Sequence, residues 1–363
     1  MKKEVRAYCP DNLPVSSALI KTEVFLNELI DASTSFEVYK EKIKDSKLDR
    51  SWFLPTLQQK EALASAMIEG TQATIDGVLV NQVVPDKKDK NIQEISNYNK
   101  ATEFGYRFLK KSEFDKDFFL ELHKILMMGK VRRQTDDIGV FRNKQNYIGN
   151  NKGVTYTPPE HDKVESLIDN LLQYIKEPSD GLRPLIRTAI IHAQFETIHP
   201  FMDGNGRVGR ILIPLYLYYV DQIDMPCFFV SEALERDKIK YYTLLNNTRD
   251  KKEWSEWIKF FLVTVKNQCD KYIKIISDIN TLYERDLEKA SSLVRTGNMR
   301  TLINLLYKYP VINASTIAQH SDIPVATINR YLNVLVEASI IYTDNKSRNR
   351  NYFYFNLIDI LRK

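Results

Sequence analysis

The chain of 363 residues is long enough for one large domain and a smaller one, and its 43% apolar and 27% charged residues match an ordinary soluble protein. A net charge of +5 with both signs interspersed is too small to argue for nucleic acid alone, and Cys9, Cys227 and Cys269 support neither a disulfide framework nor a zinc site. The start, MKKEVRAYCPDNLP, has no apolar signal core, and the longest apolar run, ILIPLYLYYV at 211–220, is too short to span a bilayer. These features predict a cytoplasmic protein with no membrane partner.

Helical periodicity dominates. Residues 14–45 read as one or two helices, with apolar spacing through Leu19, Ile20, Val24, Phe25, Leu29 and Ile30. A helix from about Pro55 to Ile68 stops at Gly70, and two more cover 91–110 and 114–128. The stretch 136–163, rich in Gly, Asn and Pro around NYI and GVTYT, predicts a hairpin on a helical body. Helices resume at 164–175, 183–198, 207–220, 232–246 and 254–287.

Near residue 295 the character changes. A helix closed by Pro310, a short helix with Ser315 as N-cap, a longer one opened by Pro324 and two strand-like runs around a basic tip follow in turn. That order predicts a winged helix-turn-helix at 296–363. The expected fold is therefore all-α, with a small β-hairpin flap and a C-terminal winged-helix module.

The chain has 12 glycines, and three of them, Gly204, Gly206 and Gly209, fall in ETIHPFMDGNGRVGR at 196–210. They match G-x-G-x-x-G, but a dinucleotide site needs a buried strand before the glycines and a βαβ setting. Here the preceding run, LRPLIRTAIIHAQFETI, has helical spacing and is too long for a strand, so that reading fails. Read locally, Pro200 ends one helix after His199, and Gly204 and Gly206 turn backbone N–H groups inward before the next helix. Such a nest beside a helix N-terminus binds anions. Arg207 and Arg210 can grip one polyphosphate, Asp203 suits Mg²⁺, and His199 suits a general base. The combination predicts phosphoryl or nucleotidyl transfer.

His199-Pro200-Phe201-Met202-Asp203-Gly204-Asn205-Gly206-Arg207-Val208-Gly209-Arg210 resembles the Fic motif, H-P-F-x-[D/E]-G-N-G-R-x-x-R, at every specified position. The likeness extends over roughly 1–290. It implies three parts: 1–90 with an inhibitory helix, 91–295 as the Fic core, and the module at 296–363. It also implies transfer of AMP from Mg·ATP to a Tyr, Ser or Thr hydroxyl of a target protein, or of the chain itself. His199 would be the base and Asp203 the Mg²⁺ ligand. The ATP-binding set would be Glu69, His199, Gly204, Asn205, Gly206, Arg207, Val208, Gly209 and Arg210, with Tyr241 and Tyr242 near the adenine. Val154, Thr155 and Tyr156 of the hairpin would dock the target by strand pairing. His192 is expected in the core or on a helix surface. His123, His161 and His320 show no clustered ligands, so no transition-metal site is expected.

SAMIEG, Ser65 to Gly70, places Glu69 in the last turn of a helix, where the dipole disfavours a carboxylate by about 0.3–1 kcal/mol. It resembles the family's inhibitory motif, [S/T]-x-x-x-E-[G/N], which implies a Glu69–Arg210 pair in the place of the ATP γ-phosphate. Two other functions stay open. One is a Fic-fold enzyme with other chemistry: de-AMPylation, UMP or phosphocholine transfer, or phosphorylation. The other is an ATP-sensing, DNA-binding regulator, using Thr327, Asn329, Arg330 and Asn333 on a recognition helix and Lys346, Arg348 and Arg350 on the wing. The C-terminal module could equally serve dimerisation or partner docking, and a homodimer that masks the site is a further arrangement the family implies.

Overall fold

The computed structural model describes residues 7–85, 89–129, 131, 137–150, 153–177, 179–344, 346 and 349–363. Helix α1 (Leu26–Lys44) buries Ala32, Phe36, Tyr39 and Ile43 along one stripe. That stripe lies against α11 (Trp254–Leu293), a helix of 40 residues. The contact is tied by Ser35 Oγ donating to Asp270 Oδ1 at 2.8 Å and Ser46 Oγ to Asn280 Oδ1 at 2.8 Å.

Helix α2 (Arg50–Ile68) begins five residues before Pro55, because the Asp49 carboxylate caps it by accepting from Ser51 N at 2.9 Å. Pro55 is thus inside the helix, not at its start. The sequence reading placed no element at 75–81, where α3 (Ile75–Asn81) is capped by Thr74. Helices α4 (Lys90–Leu109) and α5 (Lys116–Leu126) are capped by Asp89 and Asp115.

Strands β1 (Ile148–Asn150) and β2 (Gly153–Tyr156) form the expected antiparallel hairpin. Helix α6 (Val164–Lys176) leads to the two central helices, α7 (Pro184–Ile198) and α8 (Asn205–Tyr219). Helix α7 is buried on every side, packed among α6, α8, α10 and α11. Helix α8 packs on α2, α4, α5 and α7. It approaches α4 so closely that a Cβ on Gly105 would collide with Leu215. The single helix expected at 232–246 is two, α9 (Ser231–Arg236) and α10 (Lys238–Asp250).

The C-terminal residues fold as α12 (Gly297–Lys308), β3 (Val311–Asn313), α13 (Ala314–Gln319), α14 (Val325–Glu337), β4 (Tyr342–Thr343), β5 (Asn351–Phe353) and α15 (Phe355–Arg362). The sheet order is β3-β5-β4, antiparallel throughout. Strand β3 was not expected, and the cap of α13 is Asn313, whose Oδ1 accepts from Thr316 N at 2.8 Å, rather than Ser315. This unit docks on the rest of the chain: α12 packs on α2 and α11, α15 on α2, α3 and α11, and Arg362 pairs with Asp76. One hydrophobic cluster runs from Leu13 to Leu361. Among the described residues, no helix is long and apolar enough to cross a membrane.

Candidate active site

The loop joining α7 to α8 is bent by two left-handed residues, His199 at φ 50° and Gly204 at φ 79°. A left-handed histidine is uncommon and needs outside support. The support comes from three side chains. Asn205 closes the loop on itself, Oδ1 accepting from Phe201 N and Nδ2 donating to Phe201 O, both at 2.8 Å. Arg142, almost fully buried, donates from Nε to the His199 carbonyl at 2.9 Å and from Nη2 to those of Pro159 at 2.5 Å and Ile198 at 3.4 Å. Its own N–H donates to the Pro200 carbonyl at 2.9 Å. His123 stacks on the Phe201 ring at 3.9 Å. Its Nδ1 accepts from Gly139 N at 3.0 Å, so Nε2 carries the proton and donates to the Asp203 carbonyl at 3.1 Å.

His199 therefore has a fixed place. Burial lowers its pKa to about 3, and the charges of Arg249 and Arg142 push the same way against the Glu196 carbonyl and Glu69. The imidazole is neutral near pH 7 and free to accept a proton. Its Nδ1 is turned inward and buried on the side of the Glu196 carbonyl, which leaves Nε2 for a reacting group.

The first turn of α8 aims the backbone N–H groups of Asn205, Gly206 and Arg207 out of the helix end, where no intrahelical acceptor exists. Two arginines flank this end. Arg210 is fully buried and held by α2: Nε donates to Ser65 Oγ at 2.8 Å, and Nη2 to Ser65 O at 3.0 Å and to the Glu69 carboxylate at 2.7 Å. Burial alone would raise the Glu69 pKa, but the Arg210 guanidinium outweighs it and holds the carboxyl below its ordinary range. About a third of the Glu69 side chain stays open to solvent. Gly206 makes room for the pair, since a Cβ there would collide with Glu69 Oε1 and sit 2.9 Å from Arg210 Nη1. Arg207 is also buried, yet its Nε and Nη1 have no partner within the protein. Such orphaned guanidinium N–H groups are costly unless an anion meets them.

Asp203 accepts from Gly204 N at 2.7 Å through Oδ1, and its Oδ2 lies 4.0 Å from Arg207 Nη2. Among the described residues no cluster of three or more His, Cys, Asp or Glu could hold a metal. A single carboxylate beside an anion pocket fits Mg²⁺ all the same, because that ion takes one or two carboxylates and completes its shell with phosphates and water.

Several expected site residues lie elsewhere. Val208 is a core side chain, and Gly209 packs α8 against α7, where a Cβ would collide with Glu196. The Asn205 amide is spent on Phe201. Tyr241 is fully buried and donates to His192 Nε2 at 2.9 Å, since His192 Nδ1 gives its proton to the Gly209 carbonyl at 3.0 Å. It is a core residue, whereas Tyr242 next to it is exposed and feels Glu69 and Arg210. On the flap, Val154 and Thr155 face solvent, but Tyr156 is buried, donating to the Thr197 carbonyl at 2.7 Å beneath the Arg249 guanidinium. Its side chain anchors the hairpin instead of meeting a target. Gly70, at φ 91°, terminates α2 one residue after Glu69. Arg348 lies outside the described residues.

The loop supports Arg142 and His123 were not singled out from sequence, and neither was Glu196. Arg142 sits in an irregular stretch with no periodicity, and His123 looks like any polar residue on an amphipathic helix. Only the Gly139-x-x-Arg142 spacing just before the hairpin offered a signal.

Two family models match, Fic/DOC family at 113–217 and Fic/DOC family N-terminal at 26–107, together about half of the chain. The chain is 28% identical over 141 residues to protein adenylyltransferase fic-1 of Caenorhabditis elegans, covering 37% of this chain and 26% of that protein. It is 26% identical over 171 residues to a probable protein adenylyltransferase of Aquifex aeolicus, covering 44% and 48%. Against protein adenylyltransferase Fic of Drosophila virilis it is 26% identical over 223 residues, covering 59% and 42%. The chain thus spans a quarter to a half of the length of these curated relatives. A solved Fic family protein from Desulfovibrio desulfuricans G20 superposes with TM-score 0.58 at 20% identity, over 95% of this chain and 98% of that one. Fic-1 from C. elegans superposes with TM-score 0.51 at 17% identity, over 70% and 74%. These two likenesses speak to fold alone.

Proposed function

This chain belongs to the Fic/DOC family, and from that premise we propose that it is a protein adenylyltransferase that holds itself in check through Glu69. The observation that carries the proposal is the neutral His199 fixed beside a helix N-terminus whose buried Arg210 is paired with a carboxylate from α2. A site built for an anion is thus capped by the protein's own anion.

In the reaction, the target Tyr, Ser or Thr oxygen bonds to the α-phosphorus of ATP as the bond to the bridging oxygen breaks. Pyrophosphate leaves, and the hydroxyl proton passes to His199 Nε2. The α8 N-terminus and the orphaned N–H groups of Arg207 take phosphate oxygens, contacts that burial of the guanidinium strengthens. Asp203 is the residue to hold Mg²⁺, which when bound neutralises phosphate charge. Arg210 receives the terminal phosphate only after Glu69 yields it. Val154 and Thr155 offer the exposed flap edge for the target segment, and the exposed ring of Tyr242, which feels the charges of Glu69 and Arg210, is the candidate to border the nucleotide.

Residues 296–363 form the second part of the proposal. Helix, strand, two helices and a two-stranded hairpin support a winged helix-turn-helix, with Asn329, Arg330 and Asn333 exposed on α14. DNA or a protein is the partner that face would meet.

The test gives α-labelled and γ-labelled ATP with Mg²⁺ to wild type, Glu69→Gly and Glu69→Gly/His199→Ala, with and without cell lysate. Label from the α position only, stronger in Glu69→Gly and lost in the double variant, is the expected result. Label from the γ position would replace this reading with phosphorylation.

A further inference from the structure

The flap stands on two feet, and they straddle His199. Asn146, two residues before β1, donates from Nδ2 to the Phe201 carbonyl at 3.2 Å, two residues after the histidine. Tyr156, the last residue of β2, donates from its hydroxyl to the Thr197 carbonyl at 2.7 Å, two residues before it. Thr197 lies in the last turn of α7, where carbonyls have no intrahelical donor. The tyrosine hydroxyl therefore satisfies an acceptor that the helix itself leaves open.

Arg249 on α10 braces the second foot. Its side chain is almost fully buried, and its guanidinium carbon lies 3.8 Å from the centre of the Tyr156 ring. From Nε it donates to Thr197 Oγ1 at 3.0 Å. The Thr197 hydroxyl proton is spent on the Ala193 carbonyl at 2.7 Å, so Oγ1 meets the arginine as an acceptor. Nη1 donates to Asn246 Oδ1 at 2.9 Å, one turn back on α10, which fixes the plane of the fork. Tyr156, Thr197 and Arg249, from three separate elements, thus close one ring of contacts. An apolar side chain would cover the tyrosine without the cost of burying a charge. Only the guanidinium can cover the ring and hold Thr197 at once.

We propose that Arg249 is a positioning residue that sets the flap edge against His199, and so places the target hydroxyl for attack. It acts through Tyr156 and Thr197, not on the reacting atoms. The exposed Val154 and Thr155 come directly before Tyr156 in β2, so a shift of the tyrosine carries straight into the edge that the target would pair with. Strand pairing places a bound segment in steps of its backbone. The Tyr156 foot decides where those steps fall relative to the base. The proposal rests on the adenylyl-transfer reading, because it needs a hydroxyl to attack beside His199. Arg249 makes its hydrogen bonds to Thr197 and Asn246 and not to the α8 end or Arg207, so its loss acts on transfer and spares ATP binding.

The experiment uses the full chain in a Glu69→Gly background, with Arg249→Met, Tyr156→Phe and the two together. Calorimetric titration with Mg·ATP counts the intact sites and gives their affinity. Transfer from α-labelled ATP to lysate proteins, at saturating ATP, is then expressed per site. In Arg249→Met the rate per site should fall by about tenfold or more, with ATP affinity nearly unchanged. Tyr156→Phe keeps the ring and loses the hydroxyl, and should fall in the same way. The double variant should fall no further than the worse single one, as members of one brace do. Arg249→Lys keeps the charge and loses the fork; it should fall likewise, and it carries the test if the methionine variant does not fold. A merely structural arginine would lower the number of sites and leave the rate per site at the parent value. That result in either arginine variant would overturn the proposal, as would losses that multiply in the double variant or a loss of ATP affinity as large as the loss of rate. A Glu69→Gly parent that binds Mg·ATP and transfers no α-label would instead overturn the adenylyl-transfer reading, and this inference with it.

Discussion

Glu69 and Arg210 are 141 positions apart in the chain and meet at 2.7 Å, with Ser65 completing the grip on the guanidinium through its hydroxyl and its carbonyl. A charge-assisted hydrogen bond of this kind contributes roughly 1.5–3 kcal/mol. Glu69→Gly should therefore raise AMP transfer on the order of 10- to 100-fold, read as α-label on the protein or on a lysate target. An unchanged rate would mean that Glu69 restrains nothing.

Gly206→Ala tests the same contact from the other side. The added methyl collides with the Glu69 carboxylate, so the pair should break and the melting temperature should fall. In a Glu69→Gly background most of that thermal cost should vanish, a non-additivity expected of residues in contact. Equal losses in both backgrounds would place the clash elsewhere.

Arg142 holds the carbonyls of Ile198, His199 and Pro159 from a buried position. Arg142→Met removes every one of these donors, at a cost of about 2–4 kcal/mol of stability. Because the His199 backbone loses its tether, kcat should drop by about 10- to 100-fold with ATP affinity changed only a few-fold. A pure loss of folded protein, with normal kcat for what remains, would reduce Arg142 to a structural role.

His123 and His192 are buried and neutral, each with its pKa lowered to about 4 by burial, and His199 follows at about 3. A folded-state value below the unfolded one means that the unfolded chain binds the proton first. The stability due to neutral histidine is therefore complete above about pH 6.5 and is lost as pH falls toward 4. Each fully buried histidine accounts for about 3 kcal/mol when protonation is complete. Glu196 and Glu61, both raised by burial, work in the opposite sense to the three histidines. The melting temperature should decline steadily from pH 6.5 to 4.5; a flat profile would contradict the neutral assignment.

The motif, its helix-loop-helix setting and most of the long helices were legible in the sequence, because sterics and periodicity act over a few residues, whereas the short α3, β3 and α15 and the break between α9 and α10 were not. Pro200 after His199 stops α7, and Gly204 takes the left-handed bend before α8. The same short range limited what could be read. Asp49 moved the start of α2 five residues upstream of Pro55, and Asn313 displaced Ser315 as a cap, since the cap is decided by which side chain reaches a free N–H.

Packing decided the rest. Tyr241 and Tyr242 are adjacent and chemically alike, but the turn of α10 sends one to His192 and the other to solvent. Gly209 fills a place in the motif, yet its use is to let α7 bring Glu196 against α8. Arg142, from an irregular segment, and His123, from the amphipathic α5, hold the two arms of the loop. The sequence by itself thus determined which local conformations and chemical groups the site contains. Which of those groups meet, and so which carboxylate faces Arg210 and which histidine is held neutral, was set only when distant helices closed around one core. Burial and proximity, which fix charge states, belong to that packing and to no stretch of chain alone.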